Sequence, residues 1–428
     1  MLTRFIVENH RSLRDQQALS LVTDRNHPNS LVAPPLGQPI VRIAGLFGAN
    51  ASGKSNVIDA LLFMRAAVLQ SQARWTPGEP PRDPYRLRRE PLTRPSTFAV
   101  DFVQGGTAYQ YGFVFEGQAV SSEWLHQWPD RRKQVLFERV GREFHFPSRN
   151  LKGQNRAIEK LTRTDSLFLS AAAQQGHEQL MPLFQWFAQT LKFADLANQE
   201  ERRLFTLGQT AQNENFRRRV VALLQAADTG IVDLRTELHG PYNGDASTLD
   251  AGTLLHFNGM ELSGDRLTSG PLQTSKLTYL HRGEEDIWLP HQDESEGTSS
   301  LFALAGPLID ALTHGRVLCV DELDACLHPL LMARVIDLFQ NPTTNPKGAQ
   351  LVFSGHGVSL LGTLGGAKAV LHRDEVWLCE KGAEGDTRLI RLADHEIRKD
   401  ERLDRRYLQG RYGGIPVLGD LLEGSGAS

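Results

Sequence analysis

The chain has 428 residues, 40% of them hydrophobic and 23% charged, and a formal net charge of −3. That length holds two to three domain-sized units, or one large domain with an insertion. Near-neutral charge argues against a generally basic nucleic-acid coat while leaving a local patch open, and the three cysteines (Cys319, Cys326, Cys379) give neither an even disulfide framework nor a paired C-x-x-C zinc motif. No apolar run approaches the length of a bilayer span, and the start MLTRFIVENH does not read as a signal peptide. A cytoplasmic protein with no membrane contact is expected.

Ile40 to Phe47 is an apolar run that predicts a buried strand, and Val57 to Leu69 has the spacing of an amphipathic helix. Between them, Gly48-Ala49-Asn50-Ala51-Ser52-Gly53-Lys54-Ser55 fits G-x-x-x-x-G-K-[ST] at every fixed position. Glycines let backbone N–H groups close around phosphate oxygens, and the helix N-terminus adds partial positive charge. Lys54 is expected to reach the β- and γ-phosphates of ATP, and the Ser55 hydroxyl to complete the shell of a Mg²⁺ ion. Gly48, Asn50, Ser52, Gly53 and Asn56 complete this candidate nucleotide-binding set.

Pro80 to Pro95 carries Arg82, Arg86, Arg88, Arg89 and Arg94. It is either a solvated loop or a surface for a phosphate backbone or a partner. Thr97–Val103, Ala108–Phe115 and Val120–Trp124 alternate between Gly-containing turns and predict an antiparallel meander. From about Asn150 to Gly240 the pattern turns helical. Leu180–Phe193 and Phe216–Ala227 carry apolar residues at three- and four-residue spacing, without a long heptad series. Arg217-Arg218-Arg219 lies near the start of one such helix, as a solvated face or a binding patch. Residues 241–270 are rich in Gly, Ser, Thr and Asp and predict a loop or hairpin.

Ser295-Glu296-Gly297-Thr298-Ser299 precedes the apolar-periodic Leu301 to Leu312. A Ser and a Gly there suit capture of a γ-phosphate presented from outside; alone, the motif is a capped helix start. Val317 to Val320 reads as a buried strand beside the phosphate loop, ending in Asp321-Glu322. In this Walker B arrangement Asp321 serves the Mg²⁺ shell and Glu322 orients and deprotonates the attacking water. Asp324 is a candidate for communication between two sites across a dimer, or the cap of a helix from about Pro329 to Phe339, and His328 reads as structural. Gln350 to Ser354 is a further buried strand, followed by Gly355 and His356, a candidate sensor of the γ-phosphate.

The order phosphate loop, signature, Walker B with its glutamate, then histidine resembles the ABC-type ATPase heads, particularly their SMC-like and RecF-like branch. Phe5 to Leu13, with Asn9-His10-Arg11-Ser12, is similar to the first strand and turn of those heads, which places Arg11 with the nucleotide-binding residues. A narrower resemblance is to the bacterial AAA-15/AAA-21 family, which includes the RloA- and AbiL-type ATPases of phage-defence loci. It rests on Asn9–Ser12, Gly48–Asn56, Ala226–Ile231, Ser295–Thr298, Asp321–Pro329, Gln350–His356 and the ending Tyr407-Leu408-Gln409-Gly410-Arg411-Tyr412-Gly413-Gly414-Ile415-Pro416. The signature departs by reading Ser-Glu-Gly-Thr rather than Ser-Gly-Gly, and His10 stands where an aromatic is usual.

The resemblance implies an α/β fold, an ABC/SMC-head-like P-loop ATPase with an antiparallel β meander in its N-terminal lobe and a helical insertion. The expected divisions are an N-terminal lobe 1–145, the insertion and loop 146–270, a C-terminal lobe 271–380 and a tail 381–428. It implies a homo-oligomer, a dimer or larger, in which ATP is sandwiched between protomers. Lys54, Ser55, Asp321, Glu322 and His356 come from one chain, and Ser295 and Gly297 from the other. Too few residues follow His356 for an appended Toprim nuclease. The expected role is therefore a sensor or scaffold controlling a separate effector, such as a nuclease or toxin, in antiphage defence. The alternative is a RecF/SMC-like DNA-repair ATPase that binds nucleic acid through the Arg82–Arg94 loop or the 217–219 cluster.

Overall fold

The computed structural model describes residues 1–23, 30–33, 37–87, 94–147, 149–194, 199–241, 253–257, 272–325, 327–364, 369–396 and 403–415. The antiparallel pair β1 (Leu2–Glu8) and β2 (Gln17–Ser20) opens the chain, followed by a small ribbon of β3 (Leu31–Ala33) and β4 (Gln38–Ile40). β5 (Ile43–Gly48) is buried at all six positions, the pattern of a parallel strand covered on both faces, and feeds α1 (Lys54–Gln70) through a five-residue loop. Next come β6 (Ser96–Gln104), β7 (Thr107–Glu116), β8 (Ala119–Trp128), β9 (Gln134–Val140) and β10 (Glu143–His145). They join the first pair in a seven-stranded antiparallel sheet, order β10-β9-β8-β7-β6-β1-β2. The expected meander is present and two strands longer. Gly105 and Gly106 close its first hairpin at φ 56° and 77°, the left-handed pair that a two-residue type I′ turn needs.

α2 (Asn155–Leu161), α3 (Phe168–Gln174) and α4 (Met181–Gln185) follow. The helix expected over Leu180–Phe193 stops early. A π-helical turn, Trp186–Thr190, drops Trp186 and Phe187 into the core, and Leu191–Ala194 is a strand, β11. A vacant edge of the central sheet decides this conformation against the local helical spacing. α5 (Gln199–Gln212) and α6 (Glu214–Ala226) lead to a second antiparallel sheet of β12 (Ile231–Pro241), β13 (Thr253–Phe257), β14 (Leu272–His281) and β15 (Ile287–Pro290). Much of the expected 241–270 loop or hairpin lies outside the described residues, but β13 falls within it.

The remaining elements are α7 (Glu296–His314), β16 (Val317–Val320), α8 (Pro329–Gln340), β17 (Gln350–Ser354), β18 (Val376–Lys381), β19 (Thr387–Arg391) and α9 (Leu403–Leu408). The central sheet runs β11-β16-β17-β5-β18-β19, parallel except for the antiparallel edge strand β19. The interval 146–270 thus supplies one edge of this sheet, and the segment after residue 380 supplies the other. Gln350 ties it to the meander: its side-chain carbonyl accepts from the Leu2 N–H at 2.6 Å and its amide donates to the Leu2 carbonyl at 2.8 Å. One hydrophobic core lies between the meander and α1, a second around α7, α8 and β17. Among the described residues no helix is long and apolar enough to cross a membrane.

α7 carries Pro307 in its interior, so the Ala303 carbonyl loses its intrahelical donor. Thr206 of α5 sits at the break: its hydroxyl accepts from Gly306 N at 3.1 Å and its one proton is shared between Ala303 O at 3.2 Å and Arg202 O of its own helix at 3.0 Å. A methyl on Gly306 would stand 2.1 Å from that hydroxyl oxygen, so glycine is required for the approach. Thr206→Val, which keeps the shape and removes the bonds, is expected to cost about 1–3 kcal/mol, read as a lowered urea midpoint with unchanged slope.

Candidate functional site

The first half of the site is the turn from β5 into α1. Gly53, at φ 99°, is the N-cap of α1 and brings no side-chain cap, and no acidic residue stands in the first turn. The first N–H groups of a 17-residue helix are therefore left for a ligand. Ala51 also adopts a positive φ, 58°. Lys54 is 5% exposed, and its ammonium donates to the carbonyls of Gly48 and Ala49, both at 2.9 Å. Burial pushes Lys54 below its ordinary range, opposed by the nearby Cys379, Asp321, Asp324 and Glu322. The Ser52 hydroxyl is buried without a hydrogen-bond partner among the described residues. An unpaired hydroxyl, an uncapped helix start and a desolvated ammonium together fit a phosphate chain.

A relay of side chains braces this loop from below. Asn56 Nδ2 donates to Ser12 Oγ at 2.6 Å, Ser12 Oγ and Thr387 Oγ1 are 2.7 Å apart, and Thr387 Oγ1 donates to the Ser52 carbonyl at 2.8 Å. One proton per hydroxyl fixes the middle step, so Ser12 donates to Thr387. A methyl on Gly53 would stand 2.0 Å from Thr387 Oγ1. Asn56 is thus a brace, and Thr387 is a site residue with no motif to announce it. Arg11 lies on the far side of Ser12, its Nε 3.0 Å from Asp59 and 3.2 Å from Asp83. It lines a cavity of ≈ 280 Å³ with Ser12, Asp83, Tyr85 and Arg86. His10, beside it, is buried against the Phe63 and Phe98 rings and meets Asp59 at 2.7 Å.

The second half hangs from β16 and β17. β16 is not the neighbour of the phosphate-loop strand as expected; β17 lies between, pairing β16 on one side and β5 on the other. The physical link is Ser354, at the end of β17. Its hydroxyl donates to Asp321 and accepts from the Glu322 N–H at 2.8 Å, while its carbonyl accepts from Leu323 N at 3.0 Å. These bonds hold Glu322 at φ 50°, a left-handed conformation that costs about 1–3 kcal/mol in a non-glycine residue. Asp324 does not cap α8. His328 does, as the residue directly before Pro329, its Nδ1 accepting from Leu330 N at 3.3 Å, while Asp324 accepts from the His356 N–H at 2.6 Å. Asp324 thereby anchors the loop that presents the exposed His356.

Ser295 and Gly297 stand apart. Ser295 is the N-cap of α7, its Oγ accepting from Thr298 N at 3.1 Å, and residues 295–297 are exposed. Among the described residues no hydrogen bond or ion pair joins them to the phosphate loop. Gly315 and Arg316 alone separate α7 from β16, so the helix runs back along the strand. Most arginines of the basic clusters are held by partners within the chain, while Arg86 and Arg218 keep side chains 71% and 72% exposed. Arg82 donates to Gly117 O at 2.7 Å and Arg94 O at 2.8 Å, Arg94 pairs with Glu8, and Arg86 with Asp83. Arg217 and Arg218 pair with Glu214, and Arg219 donates to Thr313. Arg88 and Arg89 lie outside the described residues.

A parallel sheet whose strand ends gather an uncapped helix start, a buried lysine and two acids is the machinery of nucleotide hydrolysis, and the chain is a P-loop ATPase. A family model described as "AAA domain, putative AbiEii toxin, Type IV TA system" matches residues 43–362, and the chain belongs to that AAA_21 family. Among solved structures it is similar to the SMC head domain from Thermotoga maritima, at 12% identity and TM-score 0.40, over 92% of this chain and 99% of that one. It is also similar to the Smc head domain bound to the C-terminal domain of ScpA from Pyrococcus furiosus, at 12% identity and TM-score 0.39, over 91% and 95%. No curated protein matches the chain. Ser354→Ala is expected to lower ATP turnover roughly 10–100-fold with nucleotide affinity kept within about threefold, as loss of an outer-shell partner does; steady-state phosphate release and a binding titration read the two apart.

Proposed function

We propose that this ATPase closes a nucleotide between two protomers and uses that closure to hold or release a separate effector, a nuclease or toxin, in antiphage defence. The observation that carries the reading is the split of the site: phosphate loop, Asp321, Glu322 and His356 converge on one sheet edge, while the exposed Ser295–Gly297 helix start makes no hydrogen bond or ion pair with the phosphate loop among the described residues. A second copy can supply that helix start to the first. ATP, binding the closed pair better than the open chain, then stabilises it by about 2.7 kcal/mol at a hundredfold excess over Kd.

In this reading the loop Gly48–Ser55, with Asn50 at its tip, cradles the phosphates, and Lys54 leaves its two loop carbonyls for the β- and γ-oxygens. Ser55 and Asp321 are placed to hold Mg²⁺, which when bound neutralises charge on the phosphates. Glu322, exposed beside them, takes a proton from the attacking water. His356 meets the γ-phosphate, and the cavity at Arg11 receives the nucleoside end. The effector role is supported by the family's own description, which names a toxin–antitoxin system. The DNA-clamp alternative is equally consistent with the fold; most described arginines of its two candidate patches are engaged within the chain, and Arg86 and Arg218 remain exposed.

Glu322→Gln is expected to bind ATP, slow turnover by at least about 100-fold and sediment as a dimer or larger in ATP and Mg²⁺. Ser295→Arg should keep single-chain ATP binding and stay monomeric under the same conditions; normal assembly of that variant refutes the shared site. Affinity capture of Glu322→Gln from native cells tests the purpose: a stoichiometric protein without nucleic acid supports the effector role, and DNA that leaves with salt overturns it.

A further inference from the structure

The ending Tyr407 to Pro416 is a sequence motif without a place in the site as described above. In the structure, Leu403–Ile415 is folded against it. Gly413 and Gly414 both have left-handed backbones, at φ 77° and 70°. A methyl on Gly414 would stand 3.7 Å from the Cα of Gly48, the first glycine of the phosphate loop, and 3.7 Å from the Cys379 carbonyl oxygen. That same Cys379 carbonyl lies under Gly48, where a Gly48 methyl would meet it at 2.4 Å. The turn is set by Tyr407, whose hydroxyl donates to Gly414 O at 2.8 Å from a ring that is 6% exposed. Burial pushes this phenol up to about 12, so it remains a donor at any working pH.

The other end of the segment rests on the second half of the site. α9 packs on the 3-10 turn Val358–Leu361, which begins two residues after His356, and a methyl on Gly362 would stand 3.0 Å from Asp404. Tyr407 and Tyr412 share one apolar core with Leu360, Leu361 and Phe47. One short stretch therefore touches both the loop expected to hold the β- and γ-phosphates and the loop that presents His356.

We propose that Leu403–Ile415 is a positioning element of the ATP site, in which Tyr407 fixes Gly413–Gly414 against Gly48 and so sets the phosphate loop relative to the His356 loop within one chain. This rests on the nucleotide reading of the site but not on the shared-dimer model or on any effector. Tyr407 touches no substrate in this account. It acts through Gly414.

The test is steady-state ATP hydrolysis and equilibrium binding of a fluorescent ATP analogue with the full chain. Tyr407→Phe keeps the ring and removes the bond to Gly414. Its KM and the analogue's Kd are expected to rise roughly 5- to 20-fold, the loss of one hydrogen bond, with kcat within about twofold. Its thermal midpoint without nucleotide should stay within about 4 °C of the parent. Gly414→Ala, which places a Cβ on a left-handed residue beside Gly48, should raise KM at least as much. Leu408→Ser, on the same helix but 65% exposed, should change nothing. Unchanged KM in both Tyr407→Phe and Gly414→Ala overturns the proposal, whatever kcat does. Failure of the parent chain to bind the analogue, or equal binding by Lys54→Ala, overturns the nucleotide reading instead.

Discussion

Everything at the site depends on the pairing of one five-residue strand. β17 lies in register with β5 on one side, Phe353 opposite Gly45, and with β16 on the other, Phe353 opposite Val320. That double register puts the phosphate loop and the Asp321-Glu322 pair at the same end of the sheet, the end where ligands of open α/β sheets bind. Ser354, the last residue of β17, then converts register into chemistry by holding one carboxylate and the backbone of the other. A one-residue slip in a parallel sheet buried on both faces would exchange the residues that meet each helix layer. The core on either side resists it: Val352 packs toward the α1 side, Leu351 and Phe353 toward the α7 and α8 side.

The parts of this arrangement that were legible in the sequence are those encoded within a dozen residues. G-x-x-x-x-G-K-[ST] between an apolar strand and a periodic helix states its own geometry, and alternating Thr97–Val103, Ala108–Phe115 and Val120–Trp124 state theirs. What was not legible is encoded by partners far along the chain. Leu191–Ala194 reads as the end of a helix until β16 offers it an edge. Thr387 sits in an undistinguished stretch, yet its hydroxyl meets the phosphate loop across 335 residues of sequence. Ser354 was visible only as a strand end next to the more conspicuous His356. The order of β16 and β17 could not be read from chain order at all, because a crossover can place a strand beside its predecessor or one position beyond.

Charge was misleading for a related reason. Arg82, Arg94, Arg217 and Arg219 look like a basic surface when counted, and in the structure they are struts. A guanidinium with five donors can satisfy several carbonyls at once, as Arg82 does with Gly117 and Arg94. The near-neutral balance of the whole chain agrees with that internal use. The strained backbones tell the opposite story. Ala51 and Glu322 hold left-handed conformations at the two strand ends where phosphate chemistry is proposed, and Arg11 holds one at the cavity beside them. Such strain persists only where surrounding bonds over-determine it, and here those bonds come from Ser354, Asp83 and the loop itself.

The sheet order also governs how the chain comes into being. β5 emerges early in synthesis with both edges open, and the strands that cover them, β17 and β18, follow roughly 300 residues later. At a ribosomal pace of about 5–20 residues per second, that interval is on the order of 15–60 s. The Leu2–Gln350 contact, 348 residues apart, must wait equally long. A fully apolar strand left unpaired for such a time is a natural client for a holding chaperone and a natural seed for aggregation. The phosphate loop is therefore made long before the strands that complete its sheet, and the apolar strand that carries it spends that interval without its partners.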